Sequence, residues 1–424
     1  MKKVLIITYY WKPAGGPGVQ RWLKFVKYLR DFGIEPIVYT AENPMYPMID
    51  TQIGNDLPKD IQIIKQPIWE PYGLASLFSK KKTQKISSGI IPRKKMTLTE
   101  KIMLWVRGNF FIPDARKFWV KPSVNFLSKF IQENDIQTII TTSPPHSIHL
   151  IGCHLKAKFP QLKWITDFRD PWTSIGYHKD LRLTQWAAQK HKFLEKKILQ
   201  SSDLVITTSF KTRDEFSRLT DKPIEVITNG YDIHNQGKAK LSETFLVAHI
   251  GSLLSDRNPK ILWKVFADLV KENPNFARDF QLCFAGKISQ DVEDDIAAYG
   301  LANFVVNKGY VSHNEAIELQ QTSQILLLIE IDSTETQGII PGKLFEYMIS
   351  ERPILAIGPE NWDAAKIVKE TNTGHFATYA DEQKIKEIIS QWYLAYKNKS
   401  LKSNPIGLLP YSRKKLTEKL ATLI

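Results

Sequence analysis

Short apolar runs alternate with segments of helical period along almost the whole 424-residue chain. Residues 4–8 form a continuous apolar run, as in a strand covered on both faces of a parallel sheet. A glycine-rich turn follows: Pro13-Ala14-Gly15-Gly16-Pro17-Gly18. Val19, Trp22, Leu23, Val26 and Leu29 then recur at helical spacing, and Gly33 stands just past them as a stop signal. Residues 36–40 make the next strand. This is a βαβ opening, and such sheets bind ligands beyond the C-terminal ends of their strands. The GxGxxG spacing of a dinucleotide fingerprint is missing. The turn at Gly15 and Gly16 reads either as a ligand loop or as a plain tight turn.

The alternation runs on. Strands are expected at residues 138–142, 163–167, 204–208 and 225–228, with helices at 124–133, 147–159, 183–199 and 211–219 between them. Residues 233–243 are polar and read as a linker. A second series then opens, with strands at 245–250, 281–285, 304–306, 324–329 and 353–357. Helices at 259–271, 291–299, 314–321, 362–370 and 381–396 separate or follow them, and a basic helix at 412–423 closes the chain. The expected fold class is α/β, with two doubly wound parallel-sheet domains. Ligand sites favour the cleft between two such domains.

Residues 42–122 fit the alternation poorly. Within them, residues 80–101 carry eight Lys or Arg against one Glu, half of the formal net charge of +14. Met103, Leu104, Trp105, Val106, Phe110, Phe111 and Ile112 come just beyond. A basic segment beside an aromatic one suits an anionic membrane surface, or else a solvated insertion next to a core helix. Nucleic-acid binding would rest on charge alone and is set aside. Cys153 and Cys283 lie far apart in apolar surroundings without metal-ligand spacing, which fits core packing and a reducing cytoplasm. Met1-Lys2-Lys3 precedes too short an apolar run for a signal peptide, and no stretch approaches ~18 apolar residues. The expected location is the cytoplasm, either free or peripheral at the inner face of the membrane.

The stretch from Gly338 to Tyr347 carries the strongest chemical suggestion. Pro341 and Gly342 suit a helix start, and Leu344, Phe345, Met348 and Ile349 share its inner face. Lys343 and Glu346 lie on another face near the N-terminal end, where an anion such as a phosphate is favoured. A carboxylate one turn in would accept hydrogen bonds from sugar hydroxyls. An ordinary capped helix with solvent-facing charges would look the same.

Taken together, these features resemble family 4-like glycosyltransferases of the GT-B fold, two facing Rossmann-like domains. The resemblance covers most of the chain outside residues 42–122. Gly15-Gly16 is similar to the family's glycine loop at the donor phosphates. Ser201-Ser202-Asp203-Leu204-Val205 resembles the family's "AD-x-V" motif. Val226-Ile227-Thr228-Asn229-Gly230-Tyr231-Asp232 resembles its "V-I-P-N-G-V-D" hinge, and Ile250-Gly251-Ser252-Leu253 its "V-G-R-L" start of the donor domain. The resemblance implies an acceptor-side domain at residues 1–235, a donor-binding domain at 236–400, and a segment at 401–424 that returns to the first domain. It implies transfer of a sugar, with retained anomeric configuration, from a UDP- or GDP-sugar to a glycan or lipid-linked glycan in polysaccharide biosynthesis. The nucleotide sugar is the substrate, and neither cofactor nor metal is expected.

The resemblance also assigns residues. Glu346 matches the second glutamate of the family's E-x7-E motif, which binds the ribose. The first glutamate falls at Gly338, so the backbone through Ile339 and Ile340, or Glu335, would take over the sugar; Lys343 and Leu344 complete this donor stretch. Ser252 stands where the family has arginine, and Arg257 and Lys260 follow to supply the diphosphate-binding charge. In the first domain Arg169 takes the place of the family's histidine, with Asp170 after it to orient an acceptor hydroxyl; a buried Arg–Asp pair at a strand end is the alternative. His146 is a second acceptor-side candidate. A sugar-nucleotide epimerase on the same fold, or a degenerate non-catalytic sugar-nucleotide-binding subunit, are the other readings.

Overall fold

The computed structural model describes residues 1–51, 53–71, 98–232 and 239–424. Residues 80–97 of the basic segment lie outside them. Two units make up the chain: Met1–Asn229 with Arg413–Ile424, and Gly230–Ser412.

The first unit is built on a seven-stranded sheet, all parallel. Its strands are β1 (Lys2–Ile7), β2 (Ile34–Ala41), β3 (Gln62–Gln66), β4 (Thr138–Ser143), β5 (Lys163–Phe168), β6 (Leu204–Thr207) and β7 (Ile224–Val226). They lie in the order β3-β2-β1-β4-β5-β6-β7. Strand order therefore reverses between β1 and β4, where Val4 pairs with Pro36 on one side and Thr138 on the other. Such a switch point leaves a crevice at the strand C-termini. The helices are α1 (Pro17–Leu29), α2 (Leu98–Phe110), α3 (Val120–Glu133), α4 (Ser147–Lys158), α5 (Gln185–Ser201) and α6 (Phe210–Phe216). The C-terminal helix, Arg413–Leu423, belongs to this unit and adds Leu416 and Leu420 to the core that contains Trp22, Val26 and Leu29.

Part of residues 42–122 belongs to the sheet. Gln62–Gln66 pairs with β2 as the edge strand, Ile37 opposite Gln62. Its polar, half-exposed sequence hid it, and short polar edges protect a sheet from further pairing. Glu70, just beyond it, is drawn inward: it accepts from Tyr9 Oη and Met45 N and pairs with Arg116 at 2.9 Å.

Asp167, in β5, ties this unit together. Its Oδ1 accepts from Arg21 at 2.9 Å, and its Oδ2 accepts from Trp22 Nε1 and Thr142 Oγ1, both at 2.8 Å. Arg21 also donates to the Thr228 carbonyl. One carboxylate thus joins α1, β4 and β5, and Arg21 extends the network to the segment after β7. Arg21 is 2% exposed and Asp167 is fully buried.

The second unit has a six-stranded parallel sheet of β8 (Phe245–Ile250), β9 (Phe280–Ala285), β10 (Val305–Asn307), β11 (Ile325–Ile329), β12 (Ile354–Ile357) and β13 (Gly374–Ala377). The order is β10-β9-β8-β11-β12-β13, with the switch between β8 and β11. Its helices are α7 (Lys260–Glu272), α8 (Pro274–Asp279), α9 (Gln290–Ala298), α10 (His313–Thr322), α11 (Lys343–Ile349), α12 (Asp363–Glu370) and α13 (Glu382–Lys397). Sequence patterning misses β13, whose GHFA sequence buries only Ala377, and α8, a short helix capped by Asn273. Cys153 and Cys283 are both buried.

Removing the Asp167 carboxylate strands a buried guanidinium. Asp167→Ala should destabilise the first unit by about 3–5 kcal/mol. The check is urea unfolding followed by a probe confined to that unit; a loss under about 1 kcal/mol would mean that the network is not holding it.

Candidate functional site

In the second unit the chain leaves β8 through Gly251, at φ 115°, beside Gly286, at φ 129°. A Cβ on Gly286 would stand 2.5 Å from the Gly251 carbonyl oxygen, so a side chain there is excluded. Gly251 N donates to Ala285 O at 2.7 Å. Two strand ends therefore meet backbone to backbone, and small residues leave the space above them open.

Lys343 reaches this point from the first turn of α11. Its Nζ lies 2.9 Å from His249 Nε2 and donates to the Ile250 carbonyl at 3.0 Å. Both partners are neutral. Burial, with the Arg257 charge nearby, pushes this ammonium down to about 7, against an opposing pull from Glu330. Burial, with Lys343 and Arg257 close, holds His249 well below the usual imidazole range. Arg257 makes a two-pronged pair with Glu330, Nε to Oε1 at 2.9 Å and Nη2 to Oε2 at 3.2 Å. Glu330 is fully buried directly after β11, and its Oε1 also accepts from Ile331 N. Two cations and one buried carboxylate thus gather at the switch between β8 and β11.

Glu346 is half-buried and accepts from Gln320 of α10 at 3.1 Å. The loop through Gly338 is pinned from both sides: Gln337 Nε2 donates to Glu360 O, Asp363 N donates to Gln337 O, and Trp362 Nε1 donates to Ile339 O. Ile339 is 40% exposed and Ile340 half-buried.

Not every expected residue joins this group. Lys260 turns to Asp295 of α9 at 3.0 Å, away from Glu330, because Asp295 also holds Asn258 and the turn faces that helix. The Leu344 side chain is fully buried and serves packing. Ser252 is exposed. Glu330 and His249 were not singled out from the sequence. The available signal for Glu330 was position alone: it is the first charged residue after the apolar run 325–329.

In the first unit, Arg169 sits just past β5. It donates from Nε to Ser143 O at 2.8 Å and from Nη2 to Pro144 O at 2.6 Å. Its Nη1 lies over Gly18, where a Cβ would come within 1.6 Å. The decisive glycine for this residue is therefore Gly18. Gly15 and Gly16 are held by the segment after β2: Gly15 N donates to Met48 O, and a Cβ on Gly15 would meet Met48 Cε at 2.9 Å. Asp170 is half-buried, and burial raises its carboxyl pKa despite Arg169. The buried Arg–Asp pair at this strand end is Arg21 with Asp167, not Arg169 with Asp170.

His146 is 6% exposed and stacks on Trp172 at 4.7 Å with ring planes 1° apart. Neither ring nitrogen has a partner. Burial, then the neighbouring His149, His178 and His191, hold it well below the usual range. It is a neutral ring packed beneath Trp172, not a side chain presented to solvent.

Residues 232–404 match the family of glycosyl transferases, group 1. This segment carries the glycosyltransferase family match, and the chain as a whole has the GT-B fold. No curated protein matches its sequence. The N-terminal domain of Candida albicans trehalose-6-phosphate phosphatase is similar over 99% of this chain and 96% of its own, with a TM-score of 0.60 at 12% identity. Sucrose-phosphate synthase from Thermosynechococcus elongatus is similar over 100% and 98%, with 0.55 at 13%. The TarM protein of S. aureus, in a structure with UDP, α-GlcNAc-glycerol and fondaparinux, is similar over 100% and 99%, with 0.54 at 13%. The glycosyltransferase assignment gives the Lys343 cluster its context, since it lies inside the matched segment.

Two pH effects follow. Lys343 binds its proton less tightly folded than its ordinary value of 10.5. Between pH ~7 and ~10.5 the unfolded chain holds the extra proton, so stability rises with pH there. Lys343→Met should raise the stability of the second unit by roughly 1–3 kcal/mol at pH 7, an advantage that fades toward pH 10. His149, pushed down to about 3 by burial, acts at the acid end. Below pH ~6.5 the unfolded chain takes up its proton first, costing about 2 kcal/mol by pH 5. His149→Gln should flatten that acid limb in thermal melts; an unchanged limb would refute the assignment.

Proposed function

We propose that the enzyme transfers a sugar, with retained anomeric configuration, from a UDP- or GDP-sugar to a glycan or lipid-linked glycan acceptor in polysaccharide assembly. The observation that carries this reading is Lys343 at the β8–β11 switch, bonded only to neutral acceptors, 2.9 Å from His249 and beside Arg257. A buried ammonium next to a second cation is costly unless an anion completes the site. A diphosphate does so. Lys343 supplies there the charge that the family's arginine would bring at Ser252, and Arg257, oriented by Glu330, supplies the second.

As the donor bond breaks, negative charge grows on the diphosphate, and fixed cations stabilise it without reorganising. This assigns the leaving-group charge to side chains rather than to a metal. Glu346, one turn from Lys343, accepts from the ribose hydroxyls. The backbone of residues 337–340, pinned by Trp362 and Asp363, faces the transferred sugar in place of the glutamate missing at Gly338. In the first unit Arg169 and Asp170 serve the acceptor side, as anion contact and hydroxyl acceptor. Peripheral placement at the inner membrane face belongs to the same reading.

Glu346→Ala should weaken UDP- or GDP-sugar binding at least about tenfold in calorimetry. Lys343→Met should do the same while stabilising the unliganded protein. Undiminished affinity in both variants would sink the donor site. Mass spectrometry of the product decides between chemistries: a donor isomer of unchanged mass means an epimerase, and no turnover with intact binding means a binding subunit.

A further inference from the structure

The outward face of α2 is apolar. Leu98, Ile102 and Trp105 follow one another at spacings of four and three residues and share one side of the helix. They are exposed by 74, 53 and 39%. The inward face is already satisfied by other residues. Gly108 packs on Leu181 and Leu183. Asn109 donates to the Trp105 and Arg182 carbonyls and accepts from Thr184 N. An amphipathic helix normally turns its apolar stripe inward; this one leaves a stripe outside.

The stripe continues into a chain of rings. Trp105 meets Phe110 edge-on at 5.6 Å, and Phe111, next in sequence, meets Phe118 at 6.2 Å. Phe118 meets Trp69 at 4.9 Å. Phe110, Phe118 and Trp69 are exposed by 61, 42 and 57%. A contiguous exposed apolar surface of this kind marks a site of interaction.

Charge selects the partner. Two carboxylates beside the rings point inward: Glu70 is buried on Arg116 and Tyr9, and Asp114 accepts from Arg116 N and from both Ser147 N and Oγ. The ammonium of Lys117 lies over the Phe111 and Phe118 rings at 5.5 and 5.3 Å, and Lys121 is exposed one turn on. Tryptophan and phenylalanine rimmed by lysine is the composition of a surface seated in the interface of an anionic bilayer, rings at headgroup depth and ammonium groups toward the phosphates. Among the described residues no helix is long and apolar enough to cross a membrane.

We propose that this surface, centred on Ile102, Trp105, Phe110 and Phe118, docks the protein on an anionic lipid bilayer. It serves the lipid-linked acceptor proposed above, but its chemistry stands on these side chains, whatever donor the enzyme uses. The full chain should sediment with phosphatidylcholine vesicles containing phosphatidylglycerol, and far less with phosphatidylcholine alone. The double variant Trp105→Glu, Phe118→Glu should lose at least about tenfold in partitioning with an unchanged melting temperature, since both side chains are exposed. Brominated lipid should quench tryptophan emission, and Trp105→Phe should reduce the quenching while keeping the binding. Failure of the wild type to bind, or equal binding by the double variant, overturns the proposal. So does a dimer in light scattering that the double variant dissociates while vesicle binding stays the same. Thermal shift by nucleotide sugars on the same variant separates the two readings, because a lost shift speaks to the donor site and not to docking.

Discussion

The carboxylate of Asp167 holds the first unit together at the C-terminal ends of its central strands. It accepts from Arg21, Trp22 and Thr142, so the start of α1 is fixed against the ends of β4 and β5. Two residues further along, Arg169 is laid along the carbonyls of Ser143 and Pro144 and over Gly18. The same docking of α1 that satisfies the buried charge brings Gly18 to that guanidinium. Stability and site geometry are therefore one constraint. A buried ion pair is costly to break from one side, and here breaking it would also release the bed on which Arg169 lies.

In the second unit Arg257 is paired with the buried Glu330, but Lys343 rests on a neutral imidazole and a carbonyl. Desolvation and a neighbouring cation leave its proton loosely held. An arrangement of this kind costs stability. At both strand ends a cation rests on neutral acceptors, Arg169 on two carbonyls and Lys343 on an imidazole and a carbonyl, beside a paired arginine and carboxylate.

Much of the fold was legible because parallel sheets impose a strong signature. Strands buried on both faces read as continuous apolar runs, and β1, β8, β11 and β12 were plain for that reason. The strands that escaped or blurred were the edges. β3 and β13 need only one neighbour and bury few residues, so their sequences are polar and irregular. The stretch at the β8–β11 switch was legible in outline, because Gly251, Lys343 and Glu346 sit at strand and helix ends that the alternation locates. Their partners were not. Nothing local distinguishes Arg257, which joins Glu330, from Lys260, which turns to Asp295.

The sequence by itself determined two parallel α/β units, the order of their elements and the strand ends at which polar chemistry gathers. Periodicity and turn residues act over a few positions, so they survive reading along the chain. Tertiary structure alone decided which charges meet. His146 became a ring under Trp172, Leu344 became core, and Gly18 became the seat of Arg169. Those outcomes depend on contacts between residues more than a hundred positions apart in several cases, such as Arg21 with Asp167. Distance, burial and partner are properties of the packed chain, and no local pattern encodes them.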